Sequence, residues 1–359
     1  MWAGEKNEIK NDYVETNCSH YNHNHSVIGL DETERIIQEK YPEFSAASPI
    51  SSKVFTPVVY ENLSTGHEES VPDTVQLITG DIHDVPFLKH IMAEYEIDGV
   101  IHFAASSLVG ESMTDPAKYY YNNVEGTLHL LIAMHETGVD HLVFSSTAAV
   151  YGEPKKTPIK EKFPTVPTNV YGRTKLMIET MMKDFTMAYG MDYVALRYFN
   201  AAGAALDGTI GEDHNPESHL IPLILKTAQG VRDHISLYGT DYLTPDGTCL
   251  RDYIHVLDLA DAHVLAMQYL VDGGASDVFN LGSEAGFNVR EIIETAKKVT
   301  GIDFKVEEEA RRAGDPAVLI ASSAKCKKVL GWKPQHSNTE EIIKTAWNWH
   351  KEHPYGYGV

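Results

Sequence analysis

The chain of 359 residues carries 30 Lys+Arg against 51 Asp+Glu, which gives a formal net charge of −21. That charge excludes a general binder of nucleic acid or of anionic membranes, because phosphate polymers need a basic face. The sequence has no apolar run near the roughly 18 residues that a membrane span needs. Cys18, Cys249 and Cys326 form no CxxC pair and no disulfide framework, which favours a reducing compartment and a cytoplasmic location.

Residues 1–53 differ in composition from the rest of the chain. They are polar and rich in His and Asn, with one short helical pattern at Leu30–Tyr41. We predict an atypical N-terminal extension with a single marginal helix. His20, His23 and His25 have no acidic or Cys partner at metal-ligand spacing, so the sequence predicts no metal site.

From residue 54 a regular alternation of strand and helix patterns begins. The strand patterns are short and rich in β-branched or aromatic residues, and several are apolar throughout, which indicates strands buried on both faces of a parallel sheet. The alternation predicts a doubly wound α/β sheet, in which ligands bind at the carboxyl ends of the strands. The candidate strands are 58–62, 75–81, 99–105, 141–147 and 193–200, and the candidate helices are 84–95, 116–137 and 170–189.

After residue 200 the sequence becomes richer in loops. A strand pattern at 278–282 returns to the sheet, so residues 54–200 and about 253–282 form the predicted sheet domain. Residues 201–252 and 283–359 form a smaller C-terminal lobe. The candidate helices of this half lie near 219–230, 257–271, 288–300, 322–330 and 339–352.

Tyr171 and Lys175 stand one helical turn apart at the start of a predicted helix. This spacing places a phenol and an ammonium on one helix face, where the positive charge favours the phenolate and lets the Tyr act as a base near neutral pH. The preceding strand ends in Ser145, Ser146 and Thr147, whose hydroxyls would stand at the same sheet edge and could share a proton with the Tyr. An ordinary surface Tyr and Lys would show the same spacing, so the motif gains its weight from this context.

Several stretches of the chain together resemble the family of UDP-glucose 4-epimerases, among the extended short-chain dehydrogenases/reductases with their Rossmann-like sheet. The resemblance runs from about Val58 to the C-terminus and includes motifs of both the sheet and the lobe. The stretches are ENLSTGH (61–67), GDI (80–82), IHFAASSLVGES (101–112), YYNNVEGT (120–127), FSSTAAVYGE (144–153), VYGRTK (170–175), LRYFNAAGA (196–204), RDYIHVLDLADAH (251–263), NLGS (280–283) and RRAGD (311–315).

The resemblance implies a reaction and roles for three residues. UDP-glucose and UDP-galactose would interconvert, in galactose metabolism, through a 4-keto sugar formed with a tightly held NAD. Tyr171 would act as base and then as acid, Lys175 would lower its pKa and bind the nicotinamide ribose, and Thr147 would bond the substrate hydroxyl. The resemblance also implies a homodimer, formed through the helices near 116–137 and 170–189.

The resemblance also implies the cofactor contacts of the sheet domain. Glu61 ends a strand, where a carboxylate accepts from the adenosine ribose and repels a 2′-phosphate, so NAD is expected rather than NADP. Ser107 stands where some members carry Lys, so one cofactor contact of those members is missing. The implied cofactor contacts are Glu61, Asn62, Asp81, Ile82, Phe103, Ala104, Ala105, Asn122, Lys175 and Tyr198.

The implied contacts to the UDP-sugar lie mostly in the lobe. In a chain this acidic, a nucleotide diphosphate needs local Arg forks, which Arg251 and Arg312 would supply. Tyr238 would lie against the uracil, with a core Tyr as the alternative. Leu319 aligns with the position that gates the sugar 2-substituent and is smaller than the Tyr of some members, which supports the hypothesis that N-acetylated UDP-sugars also fit. The implied substrate contacts are Thr147, Tyr171, Asn200, Leu220, Tyr238, Arg251, Arg312 and Asp315.

The family's first strand and its turn G-x-x-G-x-x-G have no match in residues 1–57. Gly4 and Gly29 are the only glycines before Gly66, so no glycine is assigned to a phosphate-binding turn. The central strand likewise has no evident counterpart, and Pro57 suits a sheet edge better than a sheet centre. Three interpretations stay open: a substitute fold for the turn, an altered N-terminal sequence, or a cofactor-poor member.

Two other functions stay open beside the epimerase. A nucleotide-sugar 4,6-dehydratase would carry Asp-Glu after Thr147, where this chain has Ala148-Ala149. A non-catalytic sensor of nucleotide sugars or NAD(H) would not need the glycine turn, although the intact Thr147, Tyr171 and Lys175 favour an enzyme.

Overall fold

The computed structural model describes residues 25–29, 55–312 and 316–358. The predicted helix at Leu30–Tyr41 and the implied substrate contact Asp315 lie outside the described residues. Within the described ranges, no helix is both long enough and apolar enough to cross a membrane.

A parallel sheet of seven strands organises the described part of the chain. Its strand order is β11-β6-β5-β4-β1-β2-β3, and each neighbouring pair is parallel, which confirms the predicted doubly wound α/β class. The strands in chain order are β1 His25–Gly29, β2 Phe55–Glu61, β3 Gln76–Thr79, β4 Ile97–His102, β5 His141–Ser145, β6 Asp192–Arg197, β7 Asn200–Ala202, β8 Ile235–Tyr238, β9 Leu250–Arg251, β10 Tyr253–His255, β11 Asp277–Asn280, β12 Phe287–Asn288, β13 Val306–Glu309 and β14 Val318–Leu319.

Strand β1 corrects the expectation that the sheet lacks a central strand. It lies between β2 and β4, and Ile28 is in register with Val58 on one side and with Val100 on the other. The sequence analysis missed it because the strand has five residues, follows a polar tract, and is not followed by the glycine turn that marks this strand in the family.

Pro57 corrects a second expectation, because β2 lies inside the sheet rather than at its edge. Pro57 is in register with Val27 of β1, whereas the pairing with β3 begins only at Val58. The missing N–H of Pro57 is tolerated because this end of β2 has a partner strand on one side only.

Helices cover both faces of the sheet. A π-helical segment, Tyr120–Glu125, divides the helix that the sequence predicts over 116–137, whereas the helix predicted over 170–189 is confirmed at both ends. The helices are α1 Val85–Glu94, α2 Val109–Thr114, α3 Pro116–Tyr119, α4 Gly126–Thr137, α5 Val170–Tyr189, α6 Leu220–Ala228, α7 Val256–Val271, α8 Val289–Thr300, α9 Ala324–Val329 and α10 Thr339–Glu352.

Alternate residues of the central strands pack into two separate cores. Leu142 and Phe144 of β5 join a buried cluster with α1, α4 and α5. Val143, which lies between them, joins a second cluster with α7 and Trp332 on the opposite face. This alternation explains why the strand patterns are apolar throughout.

A third buried cluster belongs to the C-terminal region. Ile224 of α6, Ile292 of α8 and Ile343 of α10 pack together beside Leu237 of β8. Strand β8 pairs with β13, and β9 pairs with both β12 and β14, so small sheets complete this region.

Candidate active site

The carboxyl ends of the parallel strands bring many of the candidate residues to one edge of the sheet, where open α/β sheets bind their ligands. The first residues of helix α5 approach this edge beside the end of β5. The positions at the strand ends are Glu61 at the end of β2, Asp81 and Ile82 after β3, Phe103, Ala104 and Ala105 after β4, Thr147 after β5, and Tyr198 after β6.

Tyr171 lies in the first turn of α5, where it meets Thr147. The N-cap residue Asn169 starts the helix, because its side-chain oxygen accepts from Gly172 N at 2.7 Å. The phenol of Tyr171 is hydrogen-bonded to the hydroxyl of Thr147. Thr147 Oγ1 also accepts from Ala149 N at 3.1 Å, so its own proton is available to the phenol oxygen.

Lys175 lies buried one turn further along α5. Its Nζ donates to the Ser145 carbonyl at 2.8 Å, at the end of β5. The same Nζ lies 4.7 Å from the Phe144 ring centroid and 5.9 Å from the Tyr171 ring centroid. The helix therefore holds an ammonium near the Tyr171 ring.

Burial, rather than Lys175, dominates the pKa of Tyr171. Loss of solvent raises the pKa of Tyr171 to about 12, while the Thr147 hydrogen bond acts to lower it. Desolvation disfavours the charged form of Tyr171, and the Lys175 ammonium donates to the Ser145 carbonyl, so a phenolate near neutral pH stays a prediction.

Two of the three hydroxyls at the end of β5 point to partners other than Tyr171. Ser145 Oγ lies 2.6 Å from Tyr198 Oη, which fixes the Tyr198 ring at the sheet edge. Ser146 Oγ donates to Glu179 Oε1 at 2.5 Å. Of the hydroxyls that could share a proton with Tyr171, Thr147 is the one bonded to it.

A buried ion pair joins α5 to β6 beneath the site, and the sequence analysis missed it. Arg197 Nε donates to Glu179 Oε1 at 2.9 Å, and Arg197 Nη2 bonds to the other carboxylate oxygen. Arg197 Nη1 also donates to Tyr151 Oη at 2.8 Å, which in turn donates to Asn280 Oδ1 at 2.7 Å. The sequence offered one signal for this ion pair. Glu179 follows Lys175 by one helical turn, which places a carboxylate on the helix face that carries the candidate base Tyr171.

The ends of β2 and β3 form a polar corner. Glu61 Oε1 accepts from Leu63 N at 3.1 Å, and Asn62 Nδ2 donates to Asp81 Oδ2 at 3.1 Å. Asp81 Oδ1 accepts from His83 N at 2.9 Å and lies 2.6 Å from His83 Nδ1. These hydrogen bonds hold the pKa of Asp81 below its usual value against the opposing effect of burial, so the corner carries two carboxylates.

Asn123, which the sequence analysis did not single out, ties the loop after β4 to α5. Its Oδ1 accepts from Ser106 N at 2.8 Å, and its Nδ2 donates to Ser106 O at 3.0 Å and to Thr174 Oγ1 at 3.2 Å. The neighbouring Asn122, an implied cofactor contact, donates from Nδ2 to Asn123 Oδ1 at 3.1 Å. The π-helical segment thus positions both Asn side chains at the sheet edge.

The described residues fit the two ends of a dinucleotide. At the end of β2, a Cβ on Gly66 would lie 3.3 Å from the Glu61 carboxyl carbon, so the loop wraps closely around a carboxylate suited to ribose hydroxyls. At the end of β5, where the nicotinamide end of the dinucleotide would lie, Lys175 and Tyr198 both form hydrogen bonds with Ser145. The phosphate-binding turn would follow Gly29, in a stretch outside the described residues.

Two implied substrate contacts lie against each other in the C-terminal region. The Arg312 guanidinium carbon lies 3.8 Å from the centroid of the half-buried Tyr238 ring. Arg251 and Leu319 are in register on neighbouring strands, β9 and β14. The remaining implied contacts are Asn200, whose Nδ2 donates to Asp252 O at 2.8 Å, and Leu220, which begins α6.

Comparison with known proteins identifies a consistent set of relatives. A sequence model of the NAD dependent epimerase/dehydratase family matches residues 52–282. The UDP-glucose 4-epimerase of Lacticaseibacillus casei is 54% identical over 301 residues, which cover 84% of this chain and 91% of that protein. The NAD complex of UDP-glucose 4-epimerase from Brucella ovis superposes with a TM-score of 0.85 at 45% identity, over 90% of this chain and 97% of that one. The UDP-Glc/GlcNAc 4-epimerase of Campylobacter jejuni superposes with a TM-score of 0.79 at 38% identity, over 91% of this chain and 99% of that one.

Proposed function

The chain belongs to the NAD dependent epimerase/dehydratase family, and we propose that it interconverts UDP-glucose and UDP-galactose at sugar C4. The observation that carries the proposal is the hydrogen bond between Thr147 and Tyr171, with Lys175 one turn away on the same helix. The 54% identity to the UDP-glucose 4-epimerase of Lacticaseibacillus casei supports the choice of substrate.

Inverting one sugar carbon requires a C–H bond to be broken and then remade on the other face. NAD, when bound, supplies the hydride acceptor and donor for this exchange. Glu61 would hold the adenosine ribose, and Lys175 and Tyr198 would hold the nicotinamide end. Arg251 and Arg312 would hold the diphosphate, with Tyr238 beside the uracil.

Tyr171 carries the proton in this proposal. It accepts the proton of the sugar 4-hydroxyl as hydride leaves C4, and it returns the proton after the 4-keto sugar has turned over. Thr147 bonds to the phenol oxygen and so stabilises the phenolate. The buried Arg197–Glu179 pair holds α5 against β6, which keeps the phenol in line with the strand ends.

The test is the conversion of UDP-galactose to UDP-glucose by the full chain, followed by nuclear magnetic resonance. Tyr171→Phe keeps the ring and removes the proton carrier, so we expect a loss of turnover with retained binding of UDP-sugar. Wild-type turnover in the Phe variant would exclude the role of Tyr171, and no turnover by the wild-type chain would exclude the function.

A cofactor-poor binding protein is the second candidate, and one feature of the sequence favours it. The residues after β1 begin LDETE, with acids at Asp31, Glu32 and Glu34 and no glycine. Carboxylates repel a pyrophosphate, whereas the family's glycine turn attracts it with backbone N–H groups. Nucleotide released by denaturing the purified protein distinguishes the candidates, because stoichiometric NAD contradicts the cofactor-poor alternative.

We infer a homodimer through α3, α4 and α5, because these helices and the segment between α3 and α4 expose large apolar side chains. Tyr121 is 56% exposed, Met177 is 44% exposed and Met187 is 69% exposed.

The free, buried thiols of Cys249 and Cys326 support a cytoplasmic location. Leu319 would leave room for an N-acetyl group, and an assay with UDP-N-acetylglucosamine tests this directly.

A further inference from the structure

Four metal-binding side chains meet in the loop that leads into α6. Glu212, His214, Glu217 and His219 offer ligand atoms that all lie within 4.8 Å of one another. These atoms are two imidazole nitrogens and carboxylate oxygens from two side chains. The reaction proposed above uses none of them, and the sequence analysis predicted no metal site.

The separations around His214 Nδ1 match a tetrahedral metal site, whereas those around His219 Nδ1 are hydrogen-bond distances that would lengthen around an ion. His214 Nδ1 lies 3.3 Å from Glu212 Oε1 and 3.6 Å from Glu217 Oε2. His219 Nδ1 lies 2.9 Å from Glu212 Oε1 and 3.1 Å from Glu217 Oε1. Zinc binds imidazole and carboxylate at about 2.0–2.2 Å, which places two ligands of a tetrahedron about 3.3–3.6 Å apart.

Two atoms of the cluster are buried without a hydrogen-bond partner. They are Glu217 Oε2 and His214 Nδ1. The Glu217 side chain is only 4% exposed, and these two atoms face each other at 3.6 Å. That distance exceeds the N–H···O range of about 2.7–3.2 Å, but it suits two ligands of one ion.

The other oxygen of Glu217 is already satisfied. Its Oε1 accepts from Ser218 N and from His219 N, both at 2.7 Å. These bonds fix the carboxylate so that Oε2 points at His214. Buried polar atoms are nearly always satisfied in folded proteins, and Oε2 has only the long ion pair with His214, so an ion between the two side chains would complete its bonding.

Charge and exposure fit a cation that enters from solution. The Glu212 side chain is 17% exposed, and together with Glu217 it places two carboxylates in a confined space, where either protonated imidazoles or a bound cation must compensate their charge. The imidazoles of His214 and His219 are 38% and 40% exposed, so the cluster opens to solvent on its imidazole side.

We propose that Glu212, His214, Glu217 and His219 form a structural zinc site. Imidazole ligands suit zinc, and four protein ligands close its coordination shell, as in structural rather than catalytic sites. Because His219 is the N-cap residue of α6, the ion fixes the loop from which that helix starts.

The surroundings of the loop show what the ion would stabilise. Gly211 N donates to Tyr357 Oη at 3.1 Å, and Tyr357 N donates to Asp213 Oδ2 at 3.0 Å. A Cβ on Gly211 would lie 2.3 Å from the Trp349 ring, so the loop packs directly on α10. A zinc ion would therefore tie α6 to the C-terminal segment of the chain.

The experiment measures zinc bound to the full chain after treatment with a chelator and dialysis against zinc chloride. We expect one zinc per chain in the wild type, and an affinity lowered about tenfold or more by Glu217→Gln and by His214→Gln. His90→Gln is the matched control, because His90 Nε2 pairs with Glu94 at 3.0 Å on an exposed helix without further ligands in the described residues.

A second measurement separates loss of zinc from loss of fold and from binding elsewhere. Saturating zinc should raise the wild-type Tm by about 5 °C and leave the Tm of Glu217→Gln unchanged. Combined replacement of His20, His23 and His25 by Gln should leave the bound zinc in place. The proposal is overturned if the wild type binds no stoichiometric zinc, if Glu217→Gln keeps it with full affinity, or if the triple replacement removes it.

Discussion

Thr147 offers the sharpest test of how the site tunes Tyr171. The hydroxyl of Thr147 bonds to the Tyr171 phenol and lowers its pKa, whereas burial raises that pKa to about 12. Thr147→Val keeps the shape of the side chain and removes this bond. A hydrogen bond to a charged group contributes about 1.5–3 kcal/mol. We therefore expect kcat for UDP-galactose to fall about 10- to 150-fold.

The assay compares kcat and KM for wild type, Thr147→Val and Thr147→Ser at one pH. Thr147→Ser keeps the hydroxyl and should retain most of the wild-type kcat. Thr180→Val is the matched control, because the Thr180 hydroxyl lies on the exposed face of α5 and donates to the Leu176 carbonyl at 3.0 Å. If Thr147→Val is folded and turns over as fast as the wild type, the bond to Tyr171 does not assist the reaction.

Three further predictions concern the ion pair, a buried imidazole and the cofactor. Glu179→Gln leaves Arg197 charged and buried without its partner, so urea unfolding should show a free energy of unfolding about 3–5 kcal/mol below that of the wild type. A decrease of less than about 1 kcal/mol would contradict the role of the pair. Burial lowers the pKa of His263 from 6.5 to about 4, so the unfolded chain binds the proton first as pH falls, and stability is lost below about pH 6.5. Between about pH 7 and pH 5, the free energy of unfolding should therefore fall by about 2 kcal/mol less in His263→Gln than in the wild type. Urea titrations at the two pH values measure this difference, and equal losses in both proteins would refute the prediction. Glu61→Ser removes the carboxylate that repels a 2′-phosphate, so the affinity for NADP, measured by fluorescence titration, should approach the affinity for NAD. An unchanged preference for NAD would contradict this role of Glu61.

Local signals predicted the parts of the site that depend on neighbours in sequence. Asn169 and Gly190 set both ends of α5, because an N-cap side chain and a left-handed glycine act within one turn. The rule that parallel strands end at one edge placed Thr147 near Tyr171. The fold class followed for the same reason, since strand and helix patterns alternate visibly from residue 54.

The features that depend on distant partners escaped prediction. Strand β1 is held by its pairing with β2 and β4, and its own five residues carry little pattern. The pKa of Tyr171 depends on burial by residues from several elements, which the Y-x-x-x-K spacing does not reveal. The Arg197 bond to Glu179 likewise forms only once β6 lies beside α5.

The most direct test of the account uses UDP-galactose that carries deuterium at sugar C4. The chain should convert it to UDP-glucose that keeps the deuterium at C4, because the same hydride leaves and returns while Tyr171 handles only the hydroxyl proton. Mass spectrometry and nuclear magnetic resonance of the product give the position of the label. Exchange of the deuterium with solvent, or an absence of UDP-glucose, would contradict epimerisation by oxidation and reduction at C4.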